Sequence, residues 1–179
     1  PGVHYHLYSG NADDVGERLD KGLLDFGILI EPFDKKKYDS LRLPARDRWG
    51  VLMRKDSPLA DHELIYPEDL LDKPLLHSRQ SKIQDGIQAW FGRDIEELNI
   101  VGTYNLLYNA SLMVEEGVCY ALCLDKLINT TGDSSLCFRP LENQVTAGMD
   151  LVWKKYQVFS KAAEKFLEAV REQIEPHTD

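Results

Sequence analysis

Cysteine and positive charge are both scarce in this chain of 179 residues, and each shortage excludes a class of protein. Its three cysteines are an odd number without C-x-x-C spacing, which argues against a disulfide framework and against a structural zinc site. Lysine and arginine number 21 against 30 aspartate and glutamate residues, which gives a formal net charge of −9. Because DNA binding depends mainly on basic side chains that neutralise phosphates, we do not expect this chain alone to hold DNA.

Long apolar runs and catalytic motifs are missing as well. No apolar run approaches the ~20 residues that a membrane helix needs, and no charged-then-apolar leader is visible, so we predict no membrane partner. The sequence contains no G-x-S-x-G, P-loop, G-x-G-x-x-G or H-E-x-x-H motif, so we predict neither an enzyme nor a cofactor. Unpaired cysteines fit a reducing, cytoplasmic location best.

The opening segment has the pattern of a strand, a helix and a second strand. Large apolar residues alternate over residues 3–8, Asn11 is a plausible N-cap, Gly22 ends the helix, and residues 24–30 are mostly apolar. These are the dimensions of a βαβ crossover, which implies parallel pairing and a sheet covered on both faces. The predicted class is therefore α/β, with a first strand already under way at the start of the chain.

The same alternation continues to the C-terminus. Apolar runs with turn signals between them predict the later strands, and capping residues predict the helices. The predicted strands are residues 41–53, 74–77, 99–103, 118–122, 136–141 and 149–153, and the predicted helices begin at Pro67, Ser81, Asn105 and Ser160. Cys119 and Cys123 are interpreted as small core residues of a buried strand, because free cysteine is among the most buried residue types.

Several segments, in this order, resemble the effector-binding domain of LysR-type transcriptional regulators. Residues 19–28 (LDKGLLDFGI) resemble the family's L-x-x-G-x-x-D strand pattern, and residues 56–60 (DSPLA) stand where the family has His-Pro-Leu-Ala. Residues 67–70 (PEDL) and 114–118 (VEEGV) resemble its next helix and its V-x-x-G-x-G stretch, and residues 136–141, 151–155 and 160–166 its closing strands and helix. The chain departs from the family at Cys119, where glycine is usual, and at Cys123-Leu124, where a Leu-Pro pair is usual.

The resemblance implies two Rossmann-like lobes of the type II periplasmic-binding-protein kind. Lobe I would comprise residues 1–53 and 149–179, and lobe II residues 54–148. The family's lobe I opens with a strand and a helix that have no match here, so we expect an incomplete lobe I that rearranges or borrows contacts from a second copy. The resemblance also implies an effector in the cleft between the lobes, a homodimer through surfaces of both lobes, and DNA binding only through a helix-turn-helix domain absent from this chain.

Open α/β sheets bind ligands at the carboxyl ends of their strands, where helix N-termini offer N–H groups to anions. The resemblance implies that effector contacts lie at these same strand ends. Because the N–H groups there favour anions, we expect a small, anionic effector. Arg79 could hold a carboxylate as a planar fork, whereas Ser81 and Asn105 could equally be plain helix caps. The candidate contacts are Ser78, Arg79, Gln80, Ser81, Thr103, Asn105 and Tyr120 in lobe II, and Ser9, Gly10, Asn11 and Glu31 in lobe I.

Three alternative hypotheses remain: a metal site, a solute-binding protein and an enzyme. His4 and His6 share one side of the predicted first strand, a spacing that can bind metal, although no third ligand is near in sequence. A type II solute-binding protein of a transport system would share the fold and the cleft. An enzyme on the same scaffold, such as a dehydratase, would need acid or base residues near Ser81 and Thr103.

Overall fold

A computed structural model describes residues 2–79, 86 and 88–174 of the chain. The chain forms two compact units: unit 1 comprises Pro1–Arg46 and Gly148–Asp179, and unit 2 comprises Asp47–Ala147. The helices are α1 (Ala12–Asp20), α2 (Leu107–Glu115) and α3 (Lys161–Ile174). The strands are β1 (Gly27–Ile30), β2 (Tyr38–Arg54), β3 (Leu75–Ser78), β4 (Ile100–Tyr104), β5 (Tyr120–Leu124), β6 (Leu136–Pro140) and β7 (Thr146–Lys154).

The division of the chain into units falls within strands rather than in loops. The sequence places the lobe boundaries after residues 53 and 148, whereas the units divide after Arg46 and Ala147. Strands β2 and β7 therefore each contribute residues to both units. Periodicity cannot locate such a boundary, because a strand that continues from one unit to the next keeps its alternating pattern without a break.

The predicted first helix is confirmed at both ends. Asn11 accepts a hydrogen bond from the backbone of Asp14, whose side chain accepts one from the backbone of Asn11, so the two form a capping box. At the other end Gly22 has a positive φ of 69°, and the amides of Gly22 and Leu23 donate to the carbonyls of Leu19 and Arg18. This is the Schellman arrangement that glycine favours.

The prediction of a strand over residues 3–8 is wrong. The structure assigns no strand to these residues, and Val3, Tyr5 and Leu7 are 65%, 81% and 90% exposed. Strand β1 pairs antiparallel with β7, so the parallel βαβ pairing predicted for the opening segment is also wrong. The alternating pattern specifies which side chains share a face, but a strand forms only where a neighbouring backbone takes up its hydrogen bonds.

Unit 2 contains the parallel part of the sheet. Its strand order is β6-β2-β5-β3-β4, with β3 parallel to both β4 and β5 and β2 antiparallel to β5 and β6. The predicted strands in this region are confirmed within a few residues, and a short 3-10 helix begins at Pro67 as expected. The α/β class predicted from the sequence is confirmed.

Apolar side chains of unit 2 cover both faces of its sheet, as period-two alternation requires. Val51 and Met53 belong to one buried cluster with Ile65 and Leu75. Leu52, between them in sequence, belongs to a second cluster with Leu76, Val114 and Ala121. All three cysteines are free and buried, which confirms the interpretation of Cys119 and Cys123 as core residues.

Unit 1 likewise has a helix on each side of its strands. Helix α1 supplies Val15 and Leu19 to a cluster with Leu29 and Val152. Helix α3 supplies Leu167 to a second cluster with Leu151 and Trp153. Ser160 accepts a hydrogen bond from the amide of Ala163, which confirms it as the residue that starts α3. None of the helices in the described part of the chain has the length and apolar character that a bilayer crossing needs.

Candidate functional site

The carboxyl ends of β3 and β4 lie side by side in unit 2. Ser78 is paired in register with Tyr104, and His77 with Thr103. The amide of Arg79 donates to the carbonyl of Tyr104 at 3.1 Å, which extends the pairing one residue beyond β3. Three of the predicted contacts, Ser78, Arg79 and Thr103, are therefore brought together at one edge of the parallel sheet, which we call the carboxyl edge.

Exposure and charge distinguish Arg79 within this edge. Ser78 is 6% exposed, whereas Arg79 and Thr103 are exposed. In the described ranges, no carboxylate lies within ion-pair distance of the Arg79 guanidinium. A guanidinium at the end of a parallel strand can donate paired hydrogen bonds to a carboxylate or another planar oxyanion.

The remaining predicted contacts of unit 2 are placed differently. Asn105 is exposed and does not cap α2: the helix is capped at Leu106 without a side-chain hydrogen bond, and the Asn105 side chain accepts from the amide of Leu106. The cap prediction for Asn105 is therefore wrong, because the helix begins one residue later than the sequence pattern indicates. Gln80 and Ser81, with the helix start predicted there, lie outside the described residues.

Tyr120 lies at the far end of the parallel strands from Ser78. It begins β5 and pairs with Leu75, the first residue of β3. Its hydroxyl is 3.0 Å from the hydroxyl of Ser57. Tyr120 therefore lies apart from Ser78, Arg79 and Thr103, since the first residue of a parallel strand lies at the opposite edge from its carboxyl end; its role as an effector contact stays a prediction.

Two further residues of the carboxyl edge, Tyr104 and His77, were not predicted from the sequence. The Tyr104 hydroxyl donates to the carbonyl of Leu122 at 2.7 Å, and burial raises its pKa well above the ordinary value. His77 is 3% exposed and its Nδ1 lies 2.7 Å from the carbonyl of Ser78. Burial lowers the pKa of His77, so its ring is neutral near pH 7. Both side chains fix the edge in place, and neither residue type at its position signals this in the sequence.

Two ion pairs, each between a buried carboxylate and an exposed cation, lie where β5 ends in the same unit. Asp125 accepts from the amide and from Nε of Arg48, at 2.9 and 3.2 Å. Lys126, which has a positive φ of 65°, donates to Asp47 at 2.9 Å. Asp47 and Asp125 are each 7% exposed, so their charges are compensated within unit 2 rather than offered to a ligand. The signal that could have revealed them is the alternating charge of residues 46–48 opposite residues 125–126.

In unit 1, the predicted contacts Ser9, Gly10 and Asn11 come directly before α1. The Asn11 side chain is 7% exposed and is occupied by the capping box. A Cβ at Gly10 would lie 2.9 Å from Asp14 Cβ and from Tyr8 Cε1, so this turn has no room for a larger residue. Ser9 is exposed.

Glu31, the fourth predicted contact of unit 1, belongs to a compact group of charges. Its carboxylate lies 2.6 Å from Arg42 and 2.7 Å from Lys35, and the same two cations contact Asp150 at 3.0 Å. Asp150 is 1% exposed. Hydrogen bonds from Arg42 and then Lys35 lower the pKa of Glu31 to about 2. We call these four residues the charge cluster of unit 1; in it Glu31 already has two partners.

Comparisons with known proteins give matches along nearly the whole chain. Residues 1–175 match the family described as "LysR substrate binding domain". The "Uncharacterized HTH-type transcriptional regulator YvbU" of Bacillus subtilis (strain 168) is 25% identical over 173 residues, which are 96% of this chain and 58% of that protein. The chain thus spans less than two thirds of the length of this relative.

Solved structures show the same fold. HinK, a LysR family transcriptional regulator from Pseudomonas aeruginosa, matches with a TM-score of 0.74 at 20% identity, over 97% of this chain and 61% of that chain. The effector-binding domain of QuiR in complex with shikimate matches with a TM-score of 0.76 at 16% identity, over 94% and 80%. The predicted fold, which is of the type II periplasmic-binding-protein kind, is confirmed.

Proposed function

Because this chain belongs to the LysR substrate-binding domain family, we propose that it is the effector-sensing part of a bacterial transcriptional regulator and that it binds a small, anionic metabolite at the carboxyl edge. One observation carries the proposal: the exposed Arg79 stands beside Ser78 and Thr103 at the ends of two parallel strands. Its relatives are regulators rather than enzymes, which favours sensing over catalysis.

The chemistry of this edge supports an anion. A planar guanidinium forms paired hydrogen bonds with a carboxylate, and the exposed Thr103 on the neighbouring strand can supply a hydroxyl group to the same ligand. The QuiR domain of the same fold was solved with shikimate, which carries a carboxylate. We therefore include carboxylate metabolites first among the candidate effectors.

The regulatory part of the proposal rests on the family. An effector shifts a conformational equilibrium only by its difference in affinity for two states, so we propose that it favours one closure state of the two lobes. A DNA-binding helix-turn-helix domain elsewhere in the longer regulator would read that state through a homodimer in the cytoplasm. Contacts of the effector with Ser9, Gly10 and Asn11 stay a prediction.

A thermal-shift screen of carboxylate metabolites on this chain tests the binding. We expect at least one compound to raise the melting temperature of the wild type and to lose that effect in Arg79→Gln. The matched control is Arg93→Gln, which removes one exposed arginine of unit 2 from outside the carboxyl edge. A compound that stabilises Arg79→Gln as strongly as wild type would contradict the assignment of the site.

A further inference from the structure

We propose that unit 2 holds a second binding site, a cavity between Lys55 and Arg139 that takes a small oxyanion such as phosphate or a short dicarboxylate. The cavity has a volume of about 360 Å³, and its lining includes Ala60, Asp61 and Thr130 besides the two basic residues. This volume lies near the lower limit for small-molecule pockets, which suits a ligand of few atoms.

The cavity lies at the opposite edge of the sheet from Arg79. Lys55 directly follows β2, and the last residues of β2 run antiparallel to β5, with Leu52 opposite Ala121. The end of β2 is therefore near the start of β5, whereas the carboxyl edge is at the ends of β3 and β4. A ligand in this cavity would not contact Arg79, so the proposal is independent of the effector site.

Backbone contacts hold both cations in place without neutralising them. Arg139 donates from Nε and Nη2 to the carbonyl of Ala60 and from Nη1 to the carbonyl of Phe138, with the Nε and Nη1 contacts each at 2.9 Å. Lys55 donates from Nζ to the carbonyl of Gly132 at 3.1 Å. Neither has an ion-pair partner among residues 2–79, 86 and 88–174. A carbonyl oxygen orients a cation without removing its charge. Both Lys55 and Arg139 can therefore attract an anion that enters the cavity.

The charges of Lys55 and Arg139 both act on the thiol of Cys137. Burial raises the pKa of its thiol, while the positive charges of Arg139 and Lys55 oppose that rise. Lys55, Cys137 and Arg139 all line this cavity. Among the described residues of the lining, Asp61 is the one acidic side chain, so the charges there sum to a positive value, which favours an anion over a cation.

Calorimetric titration of the chain with inorganic phosphate, and separately with succinate, tests the proposal at constant ionic strength. We expect binding to wild type, and an affinity about tenfold weaker for Lys55→Gln, because one charge-assisted contact is lost. Glutamine keeps a donor for the carbonyl of Gly132, and Lys55 is exposed, so this variant should fold normally. The control Lys155→Gln makes the same charge change on an exposed residue of unit 1 and should bind as wild type does.

Two further variants separate the possible outcomes. Asp61→Asn should bind phosphate more tightly, because it removes the nearby negative charge; weaker binding would mean that the Asp61 carboxylate does not oppose the anion and would overturn the proposal. Arg79→Gln should leave phosphate affinity unchanged if the anion binds in this cavity. Absence of binding to wild type by both probes, or equal affinities of Lys55→Gln and Lys155→Gln, would also overturn it.

Discussion

Replacement of Glu31 by glutamine is expected to destabilise the protein at neutral pH, by an amount that shrinks as the pH falls below about 4.5. The Glu31 carboxylate accepts hydrogen bonds from Arg42 and Lys35, and they lower its pKa from 4.5 to about 2. Each tenfold change in acid dissociation corresponds to about 1.4 kcal/mol, so the upper bound for this contribution is about 3 kcal/mol. Because the side chain remains 28% exposed, solvent screening reduces the expected loss to about 1–2 kcal/mol.

The sign of the pH dependence follows from the direction of the shift. The pKa of Glu31 is lower in the folded protein than in the unfolded chain, so ionised Glu31 stabilises the fold above about pH 4.5. This contribution disappears as the pH falls through about 2. The difference in stability between wild type and Glu31→Gln should therefore shrink steadily below about pH 4.5.

Urea unfolding followed by circular dichroism, between about pH 7 and about pH 3, measures this difference. Glu168→Gln is the matched control, because Glu168 is exposed on α3. It should differ little from wild type at any pH. If Glu31→Gln were as stable as wild type at neutral pH, the charge cluster would contribute nothing, and Glu31 would be free to contact an effector as the sequence predicts.

Three further predictions concern single residues. Asn11→Ala should cost about 1 kcal/mol in urea unfolding, because it removes the N-cap of α1; an unchanged midpoint would contradict the capping box. Gly148→Ala would place a methyl group on the Arg42 guanidinium, so we expect it to displace that side chain and to raise the pKa of Glu31, as measured by NMR titration; an unchanged titration would contradict the contact. Burial raises the pKa of Cys123 to about 12, so its alkylation near neutral pH should require urea; rapid labelling of the folded chain, detected by mass spectrometry, would contradict its burial.

Local signals in the sequence predicted most of the elements correctly. Asn11 and Gly22 bound α1 because capping and a positive φ depend on residue type at one position. The short buried strand before Arg79 is also recognisable, since a run of apolar residues between turn signals has few alternatives. These features need no knowledge of distant parts of the chain.

The errors arose where the outcome depends on partners that are remote in sequence. Residues 3–8 alternate like a strand, but no neighbouring strand pairs with them in the described part of the chain. Glu31 follows a strand like a ligand contact, yet Arg42 and Lys35 engage its carboxylate in ion pairs. Tyr120 begins a strand that resembles others in composition, and its edge of the sheet is known only once the parallel pairing with Leu75 is known.

The most direct test of the effector site is an NMR titration of the chain with a carboxylate identified in the thermal-shift screen. We expect the largest changes in amide chemical shift at Ser78, Arg79 and Thr103, and their loss in Arg79→Gln. Changes confined to the cavity between Lys55 and Arg139, with the ends of β3 and β4 unaffected, would contradict this expectation.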